Sequence, residues 1–455
     1  MIRPEYTFYK ANILKILVFI FVSGPLSGQT VTDTLPAEAT LSQCINYALG
    51  NQALIRQSVI DENITKRNIR ISLSGWYPQL ELNANVQHYL QIPMTTYPNL
   101  YDPSAPPVQF PAASSYSSSA LFSANQILYS NNLLYAARTS GDLRKQALEN
   151  TRKTRIDIYV EVTKAFFDIL LTEEQLKVLD EDILRLRRNY SDAYSLYQNG
   201  LTDNIDYQRA SIALSNVGAQ RRSVEESLKA KFAVLKQAMG VNPEKQLALS
   251  YDSAQYENEI LIDTAKVLDY NNRVEYQLLQ SALSLQNSQV NYYRYSFIPT
   301  LSAFYNHASQ FGNSQLSGLY DKSYPNSLLG MKLSFPLFQG LYRVNNLSRA
   351  RLQYSRLQLG MDYLKSEINS EYNFALSRYI SNLNELKIAK NNITVAKNIF
   401  NTVKLQYDRG IKAYIEVLVS ETDLRSSELN YLNLLFQVLV SKIDMQKALG
   451  IIEVN

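Results

Sequence analysis

This chain carries one structural unit twice, and that duplication limits its fold more than any other feature. Tyr197-Gln198-Asn199-Gly200-Leu201 returns as Tyr407-Asp408-Arg409-Gly410-Ile411 at an offset of 210 residues, and Ala238-Met239-Gly240 returns as Ala448-Leu449-Gly450 at the same offset. Nearer the start of each unit, Trp76-Tyr77-Pro78-Gln79-Leu80 answers Phe297-Ile298-Pro299-Thr300-Leu301 at an offset of 221. The first unit therefore holds an insertion between Pro78 and Ile127. Without the repeat, 455 residues suggest two or three ordinary domains. With it, the chain is a first repeat at 29–240, a joining segment at 241–271 and a second repeat at 272–455.

Each repeat mixes two periodicities. Leu80, Leu82, Ala84 and Val86 alternate with Glu81, Asn83, Asn85 and Gln87, and Leu329, Met331, Leu333 and Phe335 alternate with Gly330, Lys332 and Ser334. Period two with one oily and one amide- or hydroxyl-bearing face predicts half-buried strands at about 78–92, 115–129, 299–309 and 327–338. Their length suits a tilted bilayer crossing, although an antiparallel sheet over a soluble core gives the same alternation. Aromatic placement favours the membrane: residues 76–135 and 292–342 hold 22 of the chain's 50 aromatics in 111 residues. Trp76, Tyr77, Tyr129, Tyr295, Phe297 and Phe338 lie at strand ends, where amphipathic rings mark a membrane–water boundary.

Between strand end and glycine the period changes. Leu179, Ile183, Leu186, Tyr190, Ala193 and Tyr197 step by 4, 3, 4, 3, 4, and Ala389, Ile393, Ala396, Phe400, Val403 and Tyr407 repeat those steps. That is a heptad seam. No proline interrupts 131–198 or 341–408, so each predicts one long helix of about 100 Å. Return helices are expected at 203–239 and 413–449, and shorter ones at 51–75 and 272–296. Gly240 and Gly450 are placed as C-caps.

Composition supplies a compartment and several exclusions. Arg3, Lys10 and Lys15 flank or interrupt an apolar stretch from Ile13 to Val22, followed by Ser23, Gly24, Ser27 and Gly28. This reads as a signal peptide over 1–28 cleaved near Gly28, and no later stretch is apolar enough for a membrane helix. The formal charge of +4 falls to +2 once that segment is removed. Basic and acidic side chains intermix, as in Glu181, Asp182, Arg185, Arg187 and Arg188; this predicts a solvated helix face and no nucleic-acid partner. One cysteine, Cys44, and two histidines offer neither an internal disulfide nor a typical zinc site. His88 and His307 lie in strand regions with no nucleophile or ligand spacing, so neither an enzyme nor a cofactor is expected.

Four strands cannot close a barrel, and an open sheet in hydrocarbon leaves edge groups unsatisfied, so closure requires further copies of the chain. At this point the ordered set resembles a known family. The signal segment, the duplicated unit, the aromatic-Pro strand entries, Phe335-Pro336-Leu337-Phe338-Gln339-Gly340 before a long helix and the Tyr-x-x-Gly turns look like the TolC-type outer membrane efflux proteins. The resemblance implies a mainly α fold with a membrane β-barrel. A homotrimer would join a duplicated helix–strand–strand–helix unit into a twelve-stranded barrel and a long periplasmic α-helical barrel. It also implies a periplasmic adaptor and an inner-membrane RND or ABC transporter as partners, besides outer-membrane lipid, in efflux or type I secretion. An exported coiled-coil scaffold or adhesin with a soluble cap is the alternative.

The resemblance further assigns residues. Gly200, Leu201, Gly410 and Ile411 fall at the adaptor-docking tip. Asp206, Tyr407, Lys412 and Glu416 fall at a periplasmic gate, with Asp206 as acceptor for Tyr407 and Lys412 and with three Glu416 carboxylates around one axis. The family's second acidic position is Val419 here, and its arginine is Lys412. The first hairpin is the longer, and Pro93, Pro98, Pro103, Pro106, Pro107 and Pro111 are expected to exclude a ladder strand from 92–113.

Overall fold

Residues 36, 38–98, 104, 106–251, 256 and 260–454 are described in a computed structural model; the expected signal segment and its cleavage point lie outside them. In chain order the elements are β1 (Glu38–Ala39), α1 (Leu41–Asn51), α2 (Ala53–Leu73), β2 (Gln79–His88), β3 (Met94–Tyr97), β4 (Val108–Pro111) and β5 (Tyr116–Tyr129), then α3 (Asn131–Gln198) and α4 (Ile205–Met239). There follow β6 (Ala248–Leu249), α5 (Val274–Arg294), β7 (Thr300–Asn313), β8 (Ser323–Ser334), α6 (Tyr342–Asp408) and α7 (Tyr414–Leu449).

The helices form a layer around α3. This 68-residue helix has α2 and then α4 along one side, α5 and then α7 along the other, and α6 beyond them. The heptad seam explains the arrangement. Leu179, Ile183 and Leu186 are buried with Val217 of α4 and touched by Leu418 and Leu429 of α7, so one stripe holds two neighbours. Each such leucine contributes about 1.5–3 kcal/mol by leaving water.

The short helices meet end to end through paired devices. Gly240 ends α4 at φ 70°, and a Cβ there would lie 3.0 Å from the Cα of Gln52; Gly450 ends α7 at φ 68°, where a Cβ would sit 2.7 Å from the carbonyl oxygen of Asn272. Gln52 Nε2 donates to the carbonyl of Gln237 at 3.0 Å, and Arg273 Nη1 donates to that of Ala448 at 3.0 Å. Both repeats thus cap the return helix's orphan carbonyls from the joint above it, one with an amide and one with a guanidinium.

The sheet runs β2-β5-β7-β8, antiparallel throughout. Directly paired residues share a face. One face carries the rows Leu80–Ala124–Tyr305–Leu329 and Leu82–Phe122–His307–Ser327; the other carries Glu81–Ser123–Asn306–Leu328 and Asn85–Ser119–Gln310–Tyr324. The first face is mostly apolar and exposed, with Leu80, Leu82, Leu329, Met331 and Leu333 all open to solvent. At the opposite end from the helices, His88 stacks on Tyr116 with ring centroids 4.2 Å apart, and Phe311 meets Tyr320 edge-on at 5.1 Å.

Several boundaries differ from expectation. The strand expected over 78–92 ends at His88, where the chain turns toward Pro93. The one expected over 299–309 reaches Asn313, and the one expected over 327–338 spans Ser323–Ser334. Pro325 lies near the start of β8 opposite Ser309, on the outermost strand of the chain's own sheet, where proline is tolerated, and Pro336 stops the strand early. The prolines of 92–113 do not exclude pairing: β3 pairs with β4 from Met94↔Pro111 to Tyr97↔Val108. A two-stranded ribbon is edge on both sides, so a terminal proline fits. The helix expected over 51–75 spans Ala53–Leu73, and an unexpected helix, α1, precedes it across Gln52, whose extended backbone (ψ 128°) lets its side chain cap α4. The joining segment contains β6, parallel to β1, and the helix expected from 272 starts at Val274 after a 3-10 turn.

Candidate gate at the helical tip

The far ends of α3 and α6 close with the same turn. Leu201 N donates to Leu196 O and Ile411 N to Gln406 O, each at 2.9 Å; Gly200 N and Gly410 N donate to Tyr197 O and Tyr407 O at 2.9 and 2.8 Å. These paired bonds need a left-handed residue, supplied by Gly200 (φ 70°) and Gly410 (φ 74°). The turns present Leu201 and Ile411, each 69% exposed. Behind the first turn, Tyr207 packs against Tyr194 and Tyr197 at 5.5 and 5.0 Å between ring centroids; behind the second, Tyr407 packs against Tyr414 at 5.7 Å.

The four residues expected at a gate are near the tip, but their pairing is not the expected one. Lys412 Nζ donates to Glu416 Oε2 at 2.6 Å, not to Asp206. A contact four residues along one helix start orders less chain than a reach to α4. Asp206 has its carboxyl pushed above the usual range by burial and then by Asp203, with Arg209 pulling the other way. Tyr407 is also pushed up, by burial and then by the Asp206 and Asp192 carboxylates, so Asp206 and Tyr407 are electrostatic neighbours. Lys412 thus partly neutralises the Glu416 carboxylate within the same chain.

Glu181, Arg187 and Arg188 are exposed as the solvated-face reading expects, but a charged cluster above the tip corrects that reading for Asp182 and Arg185. Asp182 is fully buried, and accepts from Arg425 Nη1 of α7 at 2.6 Å and from Arg185 Nη2 at 3.1 Å. Glu421 of α7, 1% exposed, accepts from Asn189 Nδ2 at 3.0 Å and lies 3.4 Å from Arg185 Nε. Burial, then Asp182, raises Glu421 to about 7, with Arg185 and Arg425 opposing. Tyr414 is buried beside it, and its hydroxyl has no hydrogen-bond partner among the described residues. Asp182 flanks the seam between Leu179 and Ile183, three residues from the first and one from the second. That phase is the signal its burial leaves in the sequence, set against its charge.

The aromatic residues at the strand ends all fall at the helix-proximal end of the sheet. Tyr77, Tyr295, Phe297 and Phe338 are exposed there, while Trp76 and Tyr129 are half-buried. Among the described residues no cluster of side chains could hold a metal ion.

A family model described as "Outer membrane efflux protein" matches residues 44–241 and 269–451, one segment per repeat. The chain is 19% identical over 451 residues to the outer membrane protein TolC of Vibrio cholerae, covering 96% of each. The CmeC outer membrane channel of Campylobacter jejuni has a similar structure, with a TM-score of 0.71 at 15% identity over 90% of this chain and 85% of that one. The MtrE outer membrane channel of Neisseria gonorrhoeae, in its open state, gives 0.69 at 15% identity over 94% and 95%.

Proposed function

Because this chain belongs to the outer membrane efflux protein family, we propose that three copies form the exit duct of a tripartite exporter. The observation that carries this is the open sheet. β2 and β8 are its two edges, and each leaves roughly ten backbone groups without partners. In hydrocarbon each such group costs several kcal/mol, so the sheet enters a membrane only when β8 of one copy meets β2 of the next. Three copies give a twelve-stranded barrel, with the apolar rows toward lipid and the Glu81, Asn85 and Gln310 rows toward the lumen. The helix-proximal aromatics form its periplasmic girdle.

The helices support the same assembly. Leu352, Leu359 and Tyr363 lie on one face of α6, and the same spacing returns about ten helical turns later at Ile388, Val395 and Ile399. All six are exposed, and a neighbouring copy covers them in a helical barrel. The duct is passive. Its tip, presenting Gly200, Leu201, Gly410 and Ile411, meets a periplasmic adaptor driven by an inner-membrane RND or ABC transporter, and Asp206, Tyr407, Lys412 and Glu416 line the gate. Fractionation and native mass test this: three chains in the outer-membrane fraction, conducting ions in a planar bilayer, are expected. A soluble monomer refutes it.

A further inference from the structure

The charge of the helix ends is polarised along the molecule. Four helix ends adjoin the sheet, at 63–73 of α2, 131–141 of α3, 284–294 of α5 and 342–352 of α6. These stretches contain no Asp or Glu. They hold Lys66, Arg67 and Arg70 on α2, Arg138 on α3, Arg294 on α5, and Arg343, Arg349 and Arg351 on α6. The chain as a whole has near parity, 45 basic against 41 acidic residues, so about half of those charges would ordinarily be acids. The tip ends of equal length run the other way: Arg188, Arg209 and Lys404 against Asp192, Asp206, Asp408, Glu416, Glu421 and Asp423.

The membrane-proximal charges are also uncommitted. Arg67, Arg70, Arg138, Arg294, Arg349 and Arg351 are exposed. Lys66 reaches Glu62 only at 3.9 Å, Arg343 donates to the Pro336 carbonyl, and Arg349 donates to Asn346 Oδ1 at 2.7 Å. Among the described residues none of the seven arginines makes an ion pair. Where α5 ends and α6 begins, a groove of about 320 Å³ brings Arg294 and Arg343 together with Tyr293, Phe297, Phe338 and Tyr342. Cationic planes beside aromatic and aliphatic surface, continuous with the apolar face of the sheet, match a phosphodiester headgroup above acyl chains.

We infer that this basic collar binds anionic phospholipid headgroups of the periplasmic leaflet, and that the groove at Arg294 and Arg343 is its best-formed site. The inference rests on the barrel reading, which places these helix ends at the periplasmic face of the bilayer, where the facing lipids are glycerophospholipids. Charges beyond about 8 Å from a headgroup are screened at physiological salt, so the arginines nearest the strands, Arg294 and Arg343, contribute most.

Native mass spectrometry of the detergent-solubilised full-length oligomer tests this with dioctanoyl phosphatidylglycerol against dioctanoyl phosphatidylcholine. The wild type is expected to prefer the anionic lipid. The triple variant Arg294→Gln, Arg343→Gln, Arg349→Gln is expected to lose at least tenfold of that preference, since each basic residue near an anionic surface contributes roughly fivefold. The distant control Arg187→Gln, Arg188→Gln, Arg222→Gln is expected to keep it. Equal wild-type binding of both lipids, or an equal loss in the control, overturns the inference, as does displacement by inorganic phosphate at the lipid's own concentration, which marks a simple anion site. Should the triple variant fail to assemble, the wild type still decides: the preference must fall between 50 and 500 mM salt (about threefold in Debye length), and a salt-independent one overturns it. An oligomer that inserts and conducts but shows no preference defeats the inference and leaves the duct intact.

Discussion

Replacing Glu421 with Gln tests whether the buried cluster makes the stability of the helices above the tip depend on pH. The carboxyl moves from 4.5 to about 7, chiefly through burial and then Asp182, net of the opposing Arg185 and Arg425. A folded-state value above the unfolded one means the native state binds the proton more tightly. Stability therefore falls as pH rises from about 4.5 through 7, and the cost of ionisation is fully present above that. At 1.36 kcal/mol per unit, the cost at pH 8 is about 3 kcal/mol. Gln keeps an acceptor for Asn189 and Arg185 without the charge, while Asp182 continues to hold Arg185 and Arg425. Amide exchange over residues 417–425 of α7, compared with wild type at matched pH, is expected to slow roughly 100-fold at pH 8 and only about fourfold at pH 5. Faster exchange at pH 8 would show that the ion pairs outweigh the desolvation cost. Equal slowing at both pH values would show that the carboxyl does not titrate between them.

Three other outcomes follow from named contacts. Gly450→Ala places a Cβ 2.7 Å from the Asn272 carbonyl at φ 68°, whereas Gly200→Ala at φ 70° meets open space; thermal unfolding is expected to show only about 1–2 kcal/mol of left-handed strain at Gly200 and clearly more at Gly450. Lys412→Ala releases Glu416 from its 2.6 Å partner, so single-channel reversal potentials are expected to shift toward cations, and Glu416→Gln to shift them the opposite way; unchanged potentials in both place the pair outside the pore. Proteinase K on intact cells is expected to cut first within 92–113, and protection there with cleavage near Gly200 reverses the orientation.

The sequence determined the repeat, the type of each long element and the tip turns, because these depend on local rules. A 3.5-residue seam without proline makes one helix wherever it lies, an alternating run makes a strand, and Tyr-x-x-Gly closes both long helices with the same bonds. What required tertiary structure was whatever depended on a neighbour from a distant part of the chain. Gln52 breaks a helix only because α4 ends beside it, and Pro111 pairs only because its ribbon has no interior strand. Lys412 turned to Glu416 because a partner one turn away orders less chain than Asp206. Asp182 reads as a solvated charge in one dimension, and nothing in the pattern marks Glu421, since a helix face is inward or outward only once another helix covers it. α7 covers that face, and the desolvation it imposes, which no residue pattern encodes, moves Glu421 into the physiological range.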